Sequence, residues 1–311
     1  MNPRDTRLAD RPALAALVGA VIQEWPEHER FILNGISSHD DRELGFLETA
    51  AREIQILTGA GAATHCRDYR WLCGEFLKEE IHFRRTGEYR LQSFAEATRE
   101  VYDNTPFMSR YMNGVLVSQL YWPNHAKTII SFQRDFLPGC PARDRYLEIG
   151  PGHGLFAALA ARHSAARQID AWDVSRASLD QTRKCLAALG LSDRVNLGER
   201  DVQSALPAGE LFDSIVVNEV LEHLDDPSVV LQQLYRLTAP GGRAFIGIPV
   251  NSPAPDHVYL LRHPEEVETM VLEAGFVKES SHAFPAAAYS LERALEATIT
   301  VSCVVIATRP R

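Results

Sequence analysis

Apolar residues recur at spacings of three and four across residues 14–98, as in Leu14, Leu17, Val18, Val21 and Ile22 and again in Leu44, Leu47, Ala51, Ile54 and Leu57. That period lays an apolar stripe along a helix, so the segment reads as a series of helices with no alternating strand of useful length. A break is expected around Asp103-Asn-Thr-Pro106, and residues 111–136 read as helix again, interrupted by proline at Trp122-Pro-Asn-His125. Pro138-Gly-Cys-Pro141 reads as a linker.

Beyond the linker the period changes. Short β-rich runs at 146–149, 169–173, 195–197, 212–217 and 244–248 alternate with helical stretches from about Leu155, across 175–189 and from about Pro227. A helix at 265–274 and runs at 276–280 and 301–307 complete the chain. Strand, helix, strand repeated in this way predicts an α/β fold, a largely parallel sheet with helices on both faces. The expected division is an all-helical region at 1–139, acting as a lid, and a sheet-containing unit at 140–311.

Composition narrows the classes. The chain has 311 residues, 45% of them hydrophobic, which suits two domains with ample core. Lys plus Arg number 32 against 41 Asp plus Glu, so a broad nucleic-acid-binding surface is not expected. The charged start, Met1-Asn-Pro-Arg-Asp-Thr-Arg7, and the short apolar run at 13–22 fit neither a secretory signal nor a span of ~20 residues. Five cysteines, an odd number and never spaced CxxC, indicate neither a disulfide framework nor a zinc site. A reducing cytoplasm, without membrane attachment, is the expected location.

The chemistry concentrates where the first strand meets the first helix of the second unit. There Leu147-Glu-Ile-Gly-Pro-Gly-His-Gly154 places Gly150, Gly152 and Gly154 so that backbone can approach a ligand closely. Asp173 follows at the end of the second strand, where a carboxylate can accept both hydroxyls of a ribose, and Asp201 follows the third, within reach of an adenine amine. Nicotinamide-binding folds also place an acid about 20 residues after their glycines, so a nucleoside cofactor is indicated without its kind. Two details bear on the kind: the spacing is GxGxG preceded by Glu148, and residues 213–227 read Asp-Ser-Ile-Val-Val-Asn-Glu-Val-Leu-Glu-His-Leu-Asp-Asp-Pro.

With these pieces in order, residues 143–308 resemble the class I S-adenosylmethionine-dependent methyltransferases, the segment Leu237-Thr-Ala-Pro-Gly-Gly-Arg-Ala-Phe245 included. The resemblance implies a Rossmann-like sheet of seven strands, the last antiparallel. It also implies S-adenosyl-L-methionine as cofactor, with Gly150, Pro151, Gly152 and Gly154 against its methionyl and ribose parts and Glu148 supporting that turn. Asp173 and Val174 would then hold the ribose, Asp201 and Val202 the adenine, and Asn218, Glu219 and Val220 the floor near the sulfonium. Val202 and Val220 read equally well as core. No metal is expected, since sulfonium binding needs none.

The acceptor is expected over the carboxyl ends of the strands. His223, with an ordinary pKa near neutrality, suits a general base, although Glu222-His223 can equally shape a pocket. Asp256 and His257, in a proline-rimmed loop, either contact substrate or cap the loop. Tyr111, Tyr121, Trp122, Asn124 and His125 form a candidate pocket wall, the aromatic rings suited to a sulfonium and Asn124 to a carboxylate or amide, or else they pack the lid. Lys78 to Arg85 reads as a solvated helix face, with Arg70 or Arg84 as possible carboxylate clamps.

The leading expectation is an enzyme methylating a small metabolite, an amino acid or natural-product intermediate, in a lid-covered pocket. A weaker similarity to methionine S-methyltransferases and azetidine-2-carboxylate synthases adds an alternative, cyclisation of the cofactor with release of methylthioadenosine. An NAD-dependent oxidoreductase and a non-catalytic S-adenosylmethionine-binding protein are further alternatives. The apolar helices before Thr98 satisfy either intramolecular packing or a homodimer.

Overall fold

A computed structural model describes residues 6–140, 145–204, 209–287 and 289–311. Met1 to Asp5 of the charged start and Pro141 of the expected linker lie outside the described residues. The helices before the sheet are α1 (Pro12–Glu24), α2 (Glu29–Ser37), α3 (Asp41–Thr58), α4 (Ala62–Thr86), α5 (Phe94–Ala97), α6 (Thr105–Tyr121) and α7 (Pro123–Ser131). Short polar side chains start several of them. Asp40 accepts from the backbone N–H of Glu43 while Glu43 returns a bond to Asp40 N, and Asn104 accepts from Phe107 N.

The expected break in 111–136 is narrower than the sequence reading had it. Trp122 alone is extended, and Pro123 begins the next helix, the one helical position where a missing N–H costs nothing. The apolar run at 13–22 lies inside α1, with Leu14, Leu17, Val18 and Val21 buried. No helix among the described residues is long and apolar enough to cross a membrane.

The sheet contains β1 (Arg145–Ile149), β2 (Gln168–Asp173), β3 (Val195–Glu199), β4 (Phe212–Asn218), β5 (Thr238–Val250), β6 (Val277–Pro285) and β7 (Val301–Thr308) in the order β3-β2-β1-β4-β5-β7-β6. β1 to β5 pair in parallel, and β7 runs antiparallel between β5 and β6. The remaining helices are α8 (Leu155–His163), α9 (Arg176–Ala188), α10 (Pro227–Leu237), α11 (Pro264–Glu273) and α12 (Leu291–Glu296). β6 runs five residues past its expected end at Ser280. It is an edge strand with half-exposed side chains, so its pattern carries little contrast to read.

The inner strands β1, β2, β4, β5 and β7 are buried on both faces along most of their length, and the period-2 alternation sorts side chains between two cores. Ile215, Val217, Ala244 and Ile246 point to a core closed by Leu231 and Leu234 of α10. Val216 and Phe245 point to the other, which is continuous with the helical region through Phe132, Phe136 and Phe156. Phe245 meets the rings of Phe132 and Phe136 at 5.5 and 5.6 Å between centroids. Beside it, the Arg243 guanidinium donates to the carbonyls of Phe136 and Asp135 and pairs with Glu279. The helical region is therefore fastened to the sheet face.

Candidate active site

The glycine turn joins β1 to α8. Gly150, Gly152 and Gly154 have φ of +66°, +50° and +73°, the left-handed region that side chains disfavour. Gly150 N donates to Trp172 O at 2.8 Å, and Thr182 Oγ1 donates to Gly152 O at 2.8 Å, which fixes the turn against β2 and α9. Val220 stands against it so closely that a Cβ on Gly150 would lie 2.5 Å from Val220 Cγ2. Pro151 is buried in the same turn.

Glu148, one position before the turn's strand ends, is buried, and its Oε2 has no hydrogen-bond partner. Burial pushes its carboxyl up to about 8. The unfolded chain ionises this group above about 4.5, so the stability tied to it is present below that pH and lost as pH rises to about 8. Glu148→Gln, which cannot ionise, is expected to flatten that decline, at most ~1.4 kcal/mol per pH unit. Urea midpoints of the two unliganded proteins between pH 5 and 8 check it; parallel curves would refute the assignment.

Asp173 ends β2 with Oδ1 accepting from Ser175 N at 2.8 Å and Oδ2 from Ser178 Oγ at 2.6 Å, each oxygen keeping a second lone pair. Burial holds its carboxyl above the ordinary range. Val174 next to it is half exposed. Asp201 accepts from Gln203 N and Ser204 Oγ, a local turn that presents the carboxylate at the end of β3, and Val202 is buried behind it in the core that Val220 also packs against.

After β4 the chain turns sharply. Glu219 has φ +54°, strained for a residue with a side chain, and its N–H is held by Gly247 O at 3.1 Å. Ser302 of β7 donates to Glu219 Oε1 at 3.4 Å, and Asn124 Nδ2 donates to Ser302 Oγ at 2.9 Å, so α7 reaches this turn through β7. Burial raises the Glu219 carboxyl to about 7, and it raises Glu222 well above its ordinary value, the neighbouring Glu219 charge adding to the effect.

The next turn brings the acceptor-side candidates together. His223 Nδ1 lies 3.1 Å from Asp256 O, and its ring meets those of His257 and Tyr102 edge-on at 4.9 and 6.3 Å. Asp256 is buried and accepts from Tyr111 Oη at 3.0 Å and Tyr102 Oη at 3.3 Å. His125 accepts or donates at Ser118 Oγ, 2.9 Å away, and burial lowers it to about 3, His257 to about 3 and His153 to about 4. These three imidazoles are neutral at pH 7.

Tyr121 does not join this group. Its hydroxyl donates to Leu17 O at 2.7 Å and its ring packs on Tyr69, inside the helical region. Trp122 packs edge-on against both Phe76 and His125. Arg70 sits over the Trp25 ring, and Arg84 pairs with Glu80, while Lys78 pairs with Glu75, so neither arginine enters the site. Tyr102, Tyr89 and His153 were not singled out from the sequence. Tyr89 Oη accepts from Ser252 N at 2.9 Å, 163 residues away, and no local pattern marks such a partner.

Among the described residues, Asn124 Oδ1, Glu148 Oε2, Asn218 Oδ1 and both oxygens of Glu222 are buried with no hydrogen-bond partner. Buried acceptors are ordinarily satisfied, so a group of them at one end of a sheet calls for a ligand that brings donors or positive charge.

Comparison with known proteins bears on what that ligand is. The family described as "Methyltransferase domain" matches residues 121–298, more than half of the chain. The ubiquinone/menaquinone biosynthesis C-methyltransferase UbiE of Desulfotalea psychrophila is 30% identical over 121 residues, 39% of this chain and 47% of that protein. The methyltransferase GfsG of Streptomyces halstedii is 28% identical over 162 residues, 50% of this chain and 58% of that protein. The chain thus spans about half the length of these curated relatives. Among solved structures, the S-adenosylmethionine-dependent methyltransferase SibL, in its apo form, superposes with a TM-score of 0.51 at 17% identity, covering 85% of this chain and 74% of that one, a likeness of fold. Because the family match starts at the end of α6 and runs through β1 to β6, this chain belongs to the class I S-adenosylmethionine-dependent methyltransferases.

Proposed function

We propose that the protein transfers the methyl group of S-adenosyl-L-methionine to a small-molecule acceptor, an amino acid or natural-product intermediate, enclosed between the carboxyl ends of the strands and the helical region. The observation that carries this reading is the pair of buried acceptors without a hydrogen-bond partner at the glycine turn and the β4 turn packed on it, Glu148 Oε2 and Asn218 Oδ1. A ligand with an ammonium and a sulfonium supplies what those oxygens lack. Family membership selects S-adenosylmethionine over a nicotinamide cofactor.

On this reading Gly150, Pro151, Gly152 and Gly154 pass the methionyl and ribose parts, with the Glu148 carboxyl beside them. Asp173 and Val174 take the ribose, Asp201 and Val202 the adenine, and Asn218, Glu219 and Val220 the region of the sulfur. Residues 1–139 act as the lid and 140–311 as the catalytic unit. His223, Asp256, His257, Tyr111, Asn124 and His125 face the acceptor, with Trp122 behind His125.

Methyl transfer is an in-line displacement, so alignment dominates and a base matters only when the acceptor carries a proton. The Asp256 carbonyl can only accept, so the His223 proton sits on Nδ1 and Nε2 keeps a lone pair for such a proton. A thioether acceptor brings none. Calorimetric titration with S-adenosylmethionine is expected to show one site in the micromolar range. Incubation with candidate amino acids should then yield S-adenosylhomocysteine only when an acceptor is present. Methylthioadenosine formed without acceptor would identify a cofactor-cyclising enzyme instead, and absence of binding would overturn the reading.

A further inference from the structure

The Glu222 carboxyl is fully buried between two imidazoles, and neither oxygen accepts a hydrogen bond among the described residues. His223 Nε2 lies 3.9 Å and His257 Nε2 3.8 Å from the same oxygen, Glu222 Oε1. The opposite nitrogen of each ring is engaged by backbone, His223 Nδ1 by Asp256 O at 3.1 Å and His257 Nδ1 by Ser252 O at 2.6 Å. Carbonyl oxygens only accept, so both protons sit on Nδ1 and both Nε2 atoms turn lone pairs toward one carboxyl oxygen.

Without a ligand, burial keeps a proton on Glu222, which shares it with the neighbouring Glu219 carboxyl; a cation that displaced that proton would face three electron-rich atoms in one buried space. A proton shared by Glu222 and one ring would hold the pair at about 2.6–3.0 Å, and both observed separations are well beyond that. A cation fits better. One ligand atom from each of the three residues lies within 4.8 Å of the other two, which puts a common centre roughly 2.5 Å from each, a few tenths of an ångström outside ordinary metal–nitrogen and metal–oxygen bonds.

The surroundings have the features of a ligand-holding shell. Nδ1–H bonds to backbone carbonyls fix the tautomer and orientation that a metal-bound histidine requires. The Glu222 backbone oxygen accepts from both Val258 N and Tyr259 N at 2.9 Å, tying the loop that carries His257 to the turn that carries Glu222 and His223. The geometry therefore precedes any ligand.

We propose that Glu222, His223 and His257 form a two-histidine, one-carboxylate site for a first-row divalent cation of the zinc, cobalt or manganese kind, on the acceptor side of the cofactor. Three protein ligands leave coordination positions open, and an acceptor with a hydroxyl beside a second oxygen would fill two of them. This revises the expectation of no metal. It would also change the role of His223: with a cation bound, Nε2 would be a ligand unable to take a proton, and the cation would lower the pKa of a bound acceptor hydroxyl so that its proton leaves to water. The link to the acceptor rests on the methyl-transfer reading, whereas cation binding does not.

The test is titration of the full, chelator-treated protein with cobalt(II), followed by visible absorption and calorimetry, with S-adenosylmethionine affinity measured separately on the same samples. One cobalt per chain at micromolar affinity is expected, weakened about 100-fold or more in Glu222→Gln and in His257→Asn. Thermal melts establish that the variants are folded, and His223→Ala serves as a third if either is not. No cobalt binding below millimolar concentration overturns the site, and so does binding that all folded variants retain. Cobalt binding without S-adenosylmethionine binding would leave the metal site standing and remove the methyl-transfer reading.

Discussion

Replacing Gly150 with valine is expected to weaken S-adenosylmethionine binding by about 100-fold or more, some 2.7 kcal/mol, in a chain that still folds. Two effects coincide. A β-branched residue at φ +66° carries a backbone penalty of about 1–2 kcal/mol, and the new Cβ would stand 2.5 Å from Val220 Cγ2. The strain is relieved by pushing the turn and Val220 apart, and the turn is the surface the cofactor would lie on. Gly190→Ala is the control. That residue has φ +68° but nothing within 4 Å of its Cβ, so it incurs the backbone penalty and keeps its affinity. Calorimetry on both variants separates the outcomes, and equal affinities would place the cofactor elsewhere.

Phe245→Ala is expected to cost about 3–5 kcal/mol of stability. The ring is fully buried and meets Phe132, Phe136 and Phe156 with centroids 5.5, 5.6 and 6.4 Å away. Removing it leaves a cavity bounded by three rings on two rigid supports, the sheet and the helices fastened to it by Arg243. Such a site collapses poorly. Val216→Ala, on the same face but smaller, should cost distinctly less, and urea midpoints with unchanged slopes would read the difference.

The sheet was legible because a parallel strand buried on both faces, such as residues 146–149 or 212–217, writes a compact apolar run between turn residues. The glycine turn and Asp173 were legible for a related reason, since their spacing is set by one strand–helix–strand unit. Edge strand β6 and the length of β5 were not: β6 is half exposed, and β5 begins at Thr238, across Pro240-Gly-Gly242 that reads as a turn, and continues through Pro249, which resembles a terminator yet pairs with Ser302 of β7. The acceptor side was only half legible. Asp256, His257 and Tyr111 stood out by residue type, but the bonds that join Tyr102 and Tyr111 to Asp256 span about 150 positions. Tyr121 shows the limit of type alone: an aromatic next to Trp-Pro-Asn-His reads as pocket wall, while its register on α6 turns it toward Leu17.

The aromatic junction between helices and sheet has a consequence during synthesis on the ribosome. Phe132 and Phe136 emerge well before their partner Phe245, which follows Phe136 by 109 positions. At ~5–20 residues per second the nascent helices carry an uncovered apolar face for roughly 5–20 s. A translational stall between Phe156 and Phe245 would prolong that exposure, and slowing translation there is expected to lower the soluble yield of the chain.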